Sequence, residues 1–159
     1  MVRPIHVFAA VLLACSAHST FAADTPEPTR AMSPRDVLIE ARKLIAAKQW
    51  PAAVDELKRV NNTGSADWNN LMGYSLRKSA TPDYAAAEKF YDEALRIDPK
   101  HRGALEYSGE LFLMTGDLPS AEQRLERLSK ICTSCEETVD LKQAVQKFKS
   151  AGNRYSAGS

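Results

Sequence analysis

Residues 83–99 read DYAAAEKFYDEALRIDP. Ala, Glu, Lys, Leu and Arg dominate the stretch, and its apolar residues fall three or four apart, so it reads as a helix. Pro99 ends it, because the residue before a proline is pushed out of helical geometry. Two alanines, Ala87 and Ala94, occupy the face that should bury large side chains. The same pattern recurs as QWPAAVDELKRV upstream and DLPSAEQRLERL downstream. Trp50, Tyr84 and Leu118 stand 34 residues apart, as do Ala53, Ala87 and Ala121; Leu57, Tyr91 and Leu125; and Val60, Ala94 and Leu128. Four independent columns at one spacing define an internal repeat of two helices. Small residues in such a column let the paired helices cross closely.

The period, together with WNNLMGYSL before Ala87, Tyr91, Ala94 and Pro99, resembles the tetratricopeptide repeat family over about residues 34–133. The resemblance implies an all-α fold, a right-handed solenoid of three helix-turn-helix repeats (about 34–65, 66–99 and 100–133) closed by a C-terminal cap helix. Ala41, Gly73 and Gly109 occupy the small position of the first helices. Gly73 precedes its partner alanine by two residues more than the others do, so the KSATPD turn carries the excess and Pro82 is expected to start the next helix. The family's adjacent Leu-Gly is here split as Leu71-Met72-Gly73. Helices are predicted over 34–47, 51–61, 66–79, 83–97, 101–115, 118–131 and 136–150. In the last, Leu141, Ala144, Val145 and Phe148 form one apolar stripe that suits an end cap. Residues 151–159, AGNRYSAGS, read as a disordered tail.

Residues 1–23 have a separate character. A basic start at Arg3, an apolar run from Val7 to Ala14 and a small-residue region ending in TFAAD give the layout of a secretory signal peptide. Cleavage after Ala22 or Ala23 is expected, leaving 24–33 as a flexible leader. LLAC at Leu12–Cys15 also resembles a bacterial lipobox, in which Cys15 would carry lipid. Either route implies export, with the periplasm as the expected address and an outer-membrane lipoprotein as the alternative. Without Arg3 the remaining charges balance, which argues against nucleic acid or an anionic membrane surface as the main partner.

Catalytic signals are lacking. The glycines are scattered, the carboxylates dispersed, and no cofactor motif is present, so the sequence is read as non-catalytic, with no metal and no cofactor. Cys132 and Cys135 in CTSC are the exception to weigh. In an oxidising compartment they are expected to form a disulfide that fixes the turn before the cap helix. Redox exchange and a metal half-site are the alternatives; thioredoxin-like chemistry would want a neighbouring strand, and zinc about four ligands. Glu136 and Glu137 suit the positive end of the cap-helix dipole.

The family resemblance implies that first helices line a concave groove where a protein or peptide binds. Positions three before, one after and four after the small residue share one helix face. They are Leu38, Arg42 and Ile45; Asn70, Tyr74 and Arg77; and Glu106, Glu110 and Leu113. Tyr74 and Arg77 are expected to be surface hot spots, since Tyr and Arg are enriched there. The family's carboxylate clamp of Lys and Asn is not reproduced: Asn70 is present without the lysines around it.

Overall fold

The computed structural model describes residues 36–155. The readings of a signal peptide, a lipidated Cys15 and a leader fall on residues outside this range. After a 3-10 turn at Asp36–Leu38 come seven α-helices: α1 (Ile39–Ala46), α2 (Trp50–Val60), α3 (Ala66–Lys78), α4 (Tyr84–Ile97), α5 (Arg102–Thr115), α6 (Leu118–Ile131) and α7 (Glu136–Ser150). The described residues contain no strand. Consecutive helices pair, first helices α1, α3 and α5 also touch their like, and α7 packs on both α5 and α6. The architecture is an all-α solenoid of three helical hairpins and a closing helix.

The period is visible in the helix boundaries. Second helices α2, α4 and α6 open at Trp50, Tyr84 and Leu118, the three members of one sequence column. Several boundaries have a local cause. Asp83 and Asp117 accept the amides of Ala86 and Ser120 at 2.9 and 3.1 Å, and Ser65 accepts that of Trp68 at 3.3 Å. Pro82 therefore lies before the cap rather than at the start of α4. Gly116, at φ +85°, closes α5 so tightly that only two residues separate it from α6. The described part of the tail is likewise ordered at first. Gly152 and Asn153 donate to the carbonyls of Lys149 and Phe148, ending α7 in a hydrogen-bonded turn instead of immediate disorder.

Ala53, Ala87 and Ala121 are each wholly buried. At Gly73 a Cβ would lie 2.8 Å from the Tyr91 ring and 3.0 Å from the Ala87 carbonyl oxygen. The glycine thus permits α3 to cross α4. Gly109 has a different neighbour from the one expected. A Cβ there would meet Leu141 of α7 at 2.7 Å, so its smallness admits the closing helix. Leu141, Val145 and Phe148 of α7 are buried against Leu105, Leu113 and Leu128, as the apolar stripe predicts.

Candidate functional site

The first helices α3 and α5, with α7 beyond them, line a cleft of about 380 Å³. Tyr74, Arg77 and Lys78 come from α3, Glu106, Tyr107 and Glu110 from α5, and Glu136, Glu137 and Asp140 from α7. Two tyrosines share its lining: Tyr74 and Tyr107 lie against each other with ring centroids 4.6 Å apart and planes tilted by 40°, and Trp50 of α2 meets the Tyr74 ring edge-on at 5.8 Å.

Arg77 is only 3% exposed, against the expectation of a surface hot spot. Its guanidinium lies 5.4 and 5.5 Å from the centroids of Tyr74 and Tyr107 and pairs with Glu110 at 2.7 Å. Its Nε and the hydroxyl of buried Tyr91 have no partner among the described residues. The ion pair and the two ring faces offset the cost of burying this charge. Arg77 therefore joins neighbouring repeats more than it presents charge outward.

Glu106 is 8% exposed and faces the cleft without a hydrogen bond or ion pair among the described residues. Burial, followed by the nearby charges of Glu110, Asp140 and Glu137, pushes its carboxyl up to about 8, while Arg77 pulls the other way. Glu110 is taken by Arg77 and Glu137 approaches Arg102 at 3.4 Å. Glu136 and Asp140, both exposed, have no ion-pair partner among the described residues.

Of the other positions expected in the groove, Leu38 and Leu113 are core residues, at 1% and 0% exposure. Asn70 is buried between α3 and α5, its Nδ2 3.1 Å from where a Cβ on Gly103 would stand. Ile45 is half-buried, packed against the core around α1 to α3. Arg42 is exposed and pairs with Asp67 at 2.9 Å. The three residues one after the small position, Arg42, Tyr74 and Glu110, retain solvent access, while of those three before and four after it Asn70 and Arg77 turn into the seam between repeats and Leu38, Ile45 and Leu113 pack in or against the core. Tyr107 and Asp140 were absent from that expectation, and Glu136 and Glu137 had been assigned only to the helix dipole. They do lie in the first turn of α7, and they also form a wall of the cleft.

Asp67 makes a second junction between first helices. It accepts from Arg42 of α1 and pairs with His101 Nε2 at 2.9 Å. His101 Nδ1 accepts the Ala104 amide at 3.0 Å, capping α5. With Nδ1 accepting, the ring's own N–H is at Nε2 and points to Asp67.

Cys132 and Cys135 are free thiols, which corrects the expected disulfide. Hydrogen bonds hold the CTSC turn instead. The Cys135 amide donates to the Cys132 sulfur at 3.0 Å, and the Thr138 hydroxyl donates to the Cys132 carbonyl. The hydrogen bond from Cys135 lowers the Cys132 thiol below its ordinary range, assisted by turn amides and the charge of Arg102. Among the described residues, no cluster of three or more His, Cys, Asp or Glu side chains is arranged to hold a metal ion.

These paired helices, crossing at small residues and stacking through their first helices, define a helical-repeat scaffold. Residues 82–131, from the start of the α4 cap to the end of α6, match the family model described as tetratricopeptide repeat. The matched segment carries tetratricopeptide repeats, and such repeats point to a role in protein interaction. No curated protein matches the chain. No helix among the described residues is long and apolar enough to cross a membrane.

Proposed function

We propose that the protein is an exported, non-catalytic adaptor that binds a protein or peptide segment along the face of its first helices. One observation carries this reading. The cleft combines a tyrosine pair with polar side chains from the alternate helices α3, α5 and α7, and it lies on the row of helices expected to form the groove. An extended or helical segment laid across that row would touch several repeats at once. Tyr74 is the anchor to test, being half-buried, aromatic and open to the cleft. Export rests on the sequence of residues 1–23, with the periplasm as the address and lipid attachment at Cys15 as the alternative.

The experiment compares capture from periplasmic extract by wild type and by Tyr74→Ala, each with its melting temperature recorded. Retained folding with lost capture supports the groove. Undiminished capture by folded Tyr74→Ala moves the contact to another face. Mass spectrometry of the mature protein separates lipid on Cys15 from a start at Ala23 or Asp24.

A further inference from the structure

The cleft has a chemical preference of its own. Five carboxylates and two cations line it, and Arg77 and Arg102 already occupy Glu110 and Glu137. Glu106, Glu136 and Asp140 remain, with exposed Lys78 as the one lining cation outside those pairs. Glu106 is the informative member. A glutamate that is only 8% exposed, opens onto a cleft and has no partner among the described residues carries a desolvation cost that a counter-charge would relieve. Because no metal-holding cluster is present among the described residues, the arrangement favours an extended organic cation over a bound metal ion. The tyrosine faces beside the carboxylates would pack the methylene stem of such a group while its charged head meets the acids.

We infer that this cleft receives a lysine or arginine side chain of a basic peptide segment, with Glu106, Glu136 and Asp140 as its counter-charges. This rests on the groove reading above and gives it a polarity: the partner's contact segment is basic. Docking the cation beside Glu106 stabilises the ionised carboxylate, so binding releases a proton wherever that group was protonated beforehand. The charged and titratable groups facing Glu106 are Arg77, Lys78 and Tyr74 from α3, Tyr107 and Glu110 from its own helix, and Glu136, Glu137 and Asp140 from α7.

The probes are four fluorescein-labelled pools of degenerate undecapeptides with a fixed central lysine, arginine, norleucine or glutamate, titrated by fluorescence polarisation. Wild type should bind the lysine and arginine pools roughly tenfold more tightly than the norleucine pool, and the glutamate pool least. Glu106→Gln and Asp140→Asn should each cut that preference to a few-fold or less. Glu126→Gln, which removes the same charge from an exposed site on α6, should leave it intact. The preference should also grow between pH 6 and pH 9 in wild type and stay flat in Glu106→Gln. Tyr74→Ala should weaken all pools alike, which separates loss of the groove from loss of charge selection. Equal binding of the lysine and norleucine pools overturns the cationic reading and leaves the groove standing. A preference untouched by both Glu106→Gln and Asp140→Asn also overturns it. Binding of no pool overturns both readings.

Discussion

Inside repeat two, α3 and α4 meet at Gly73, where a single added carbon would stand 2.8 Å from the Tyr91 ring. Between repeats two and three, α3 and α5 meet through Tyr74 on Tyr107 and through Arg77 on Glu110. The first seam is made by leaving atoms out, and the second by placing charge and aromatic rings in a buried position. A within-repeat seam needs only small residues at a regular spacing, so each repeat can close by itself. The seam between repeats needs particular side chains on two different units to coincide. Cleft lining and repeat stacking consequently draw on the same residues, Tyr74, Arg77, Tyr107 and Glu110, in this protein.

The largest expected effect comes from breaking the charged seam. Arg77→Ala removes a buried side chain, its ion pair and the cation over the two rings, and should cost about 3 kcal/mol in urea unfolding, the 27% exposure of Glu110 letting its freed carboxylate turn to water. The double variant Arg77→Met, Glu110→Leu should recover much of that loss. If Arg77→Ala unfolds with the parent, the two seams do not differ in the way described.

The apolar seam ranks next. Gly73→Ala should lose about 1–3 kcal/mol through overpacking, because a backbone oxygen and a fully buried ring both stand in the way. Gly109→Ala should lose less, since it meets only the methyl ends of Leu141. Equal melting temperatures for the two variants would contradict that contrast.

Glu106 sharpens the comparison from the cleft side. Its carboxyl, pushed up to about 8 by burial in the folded state against an ordinary value of 4.5, keeps a proton that the unfolded chain gives up between those values. The folded state binds more protons there, so this group makes stability fall as pH rises from about 4.5 to about 8. Glu106→Gln removes that slope. Its advantage over wild type should be larger at pH 9 than at pH 5 by at least about 1.4 kcal/mol, the worth of one pKa unit. A variant that melts below wild type at pH 9 would show that Glu106 holds the fold together and is not held at its expense.

The smallest effect belongs to Arg42→Gln, which leaves the Asp67–His101 contact in place. The ion pair of Arg42 with Asp67 is 45% exposed on both sides, and such pairs are worth about 0–1 kcal/mol. High salt should erase most of the difference from wild type.

The repeat architecture was legible because the columns at Ala53, Ala87 and Ala121 record contacts that recur in each unit. Helix ends were legible through Asp83, Asp117 and Gly116, whose local chemistry decides them. The site was only partly legible. Spacing along a helix shows that Asn70, Tyr74 and Arg77 share a face, but it does not reveal which edge of that face meets the neighbouring helix. Asn70 and Arg77 proved to point into that seam, and Leu38 and Leu113 into the core. The acidic wall was harder to foresee. Glu136 and Glu137 satisfy a helix dipole whether or not a cleft lies beside them, and only the packing of α7 on α5 brings them opposite Glu106. The thiols of CTSC illustrate the same limit, since proximity in sequence permitted a bridge that the structure does not contain.

One helix, α7, both covers the apolar end of the array and supplies Glu136, Glu137 and Asp140 to the cleft. The length of the array and the charge of the cleft are therefore tied together in this scaffold. Grafting a fourth hairpin onto repeat three would displace the closing helix and remove the acidic wall in the same step. A lengthened descendant would inherit the tyrosine pair but would need a new source of charge. Conversely, exchanging α7 alone for another closing helix with the same buried residues and different polar ones would change the charge of the cleft while leaving all three repeats untouched.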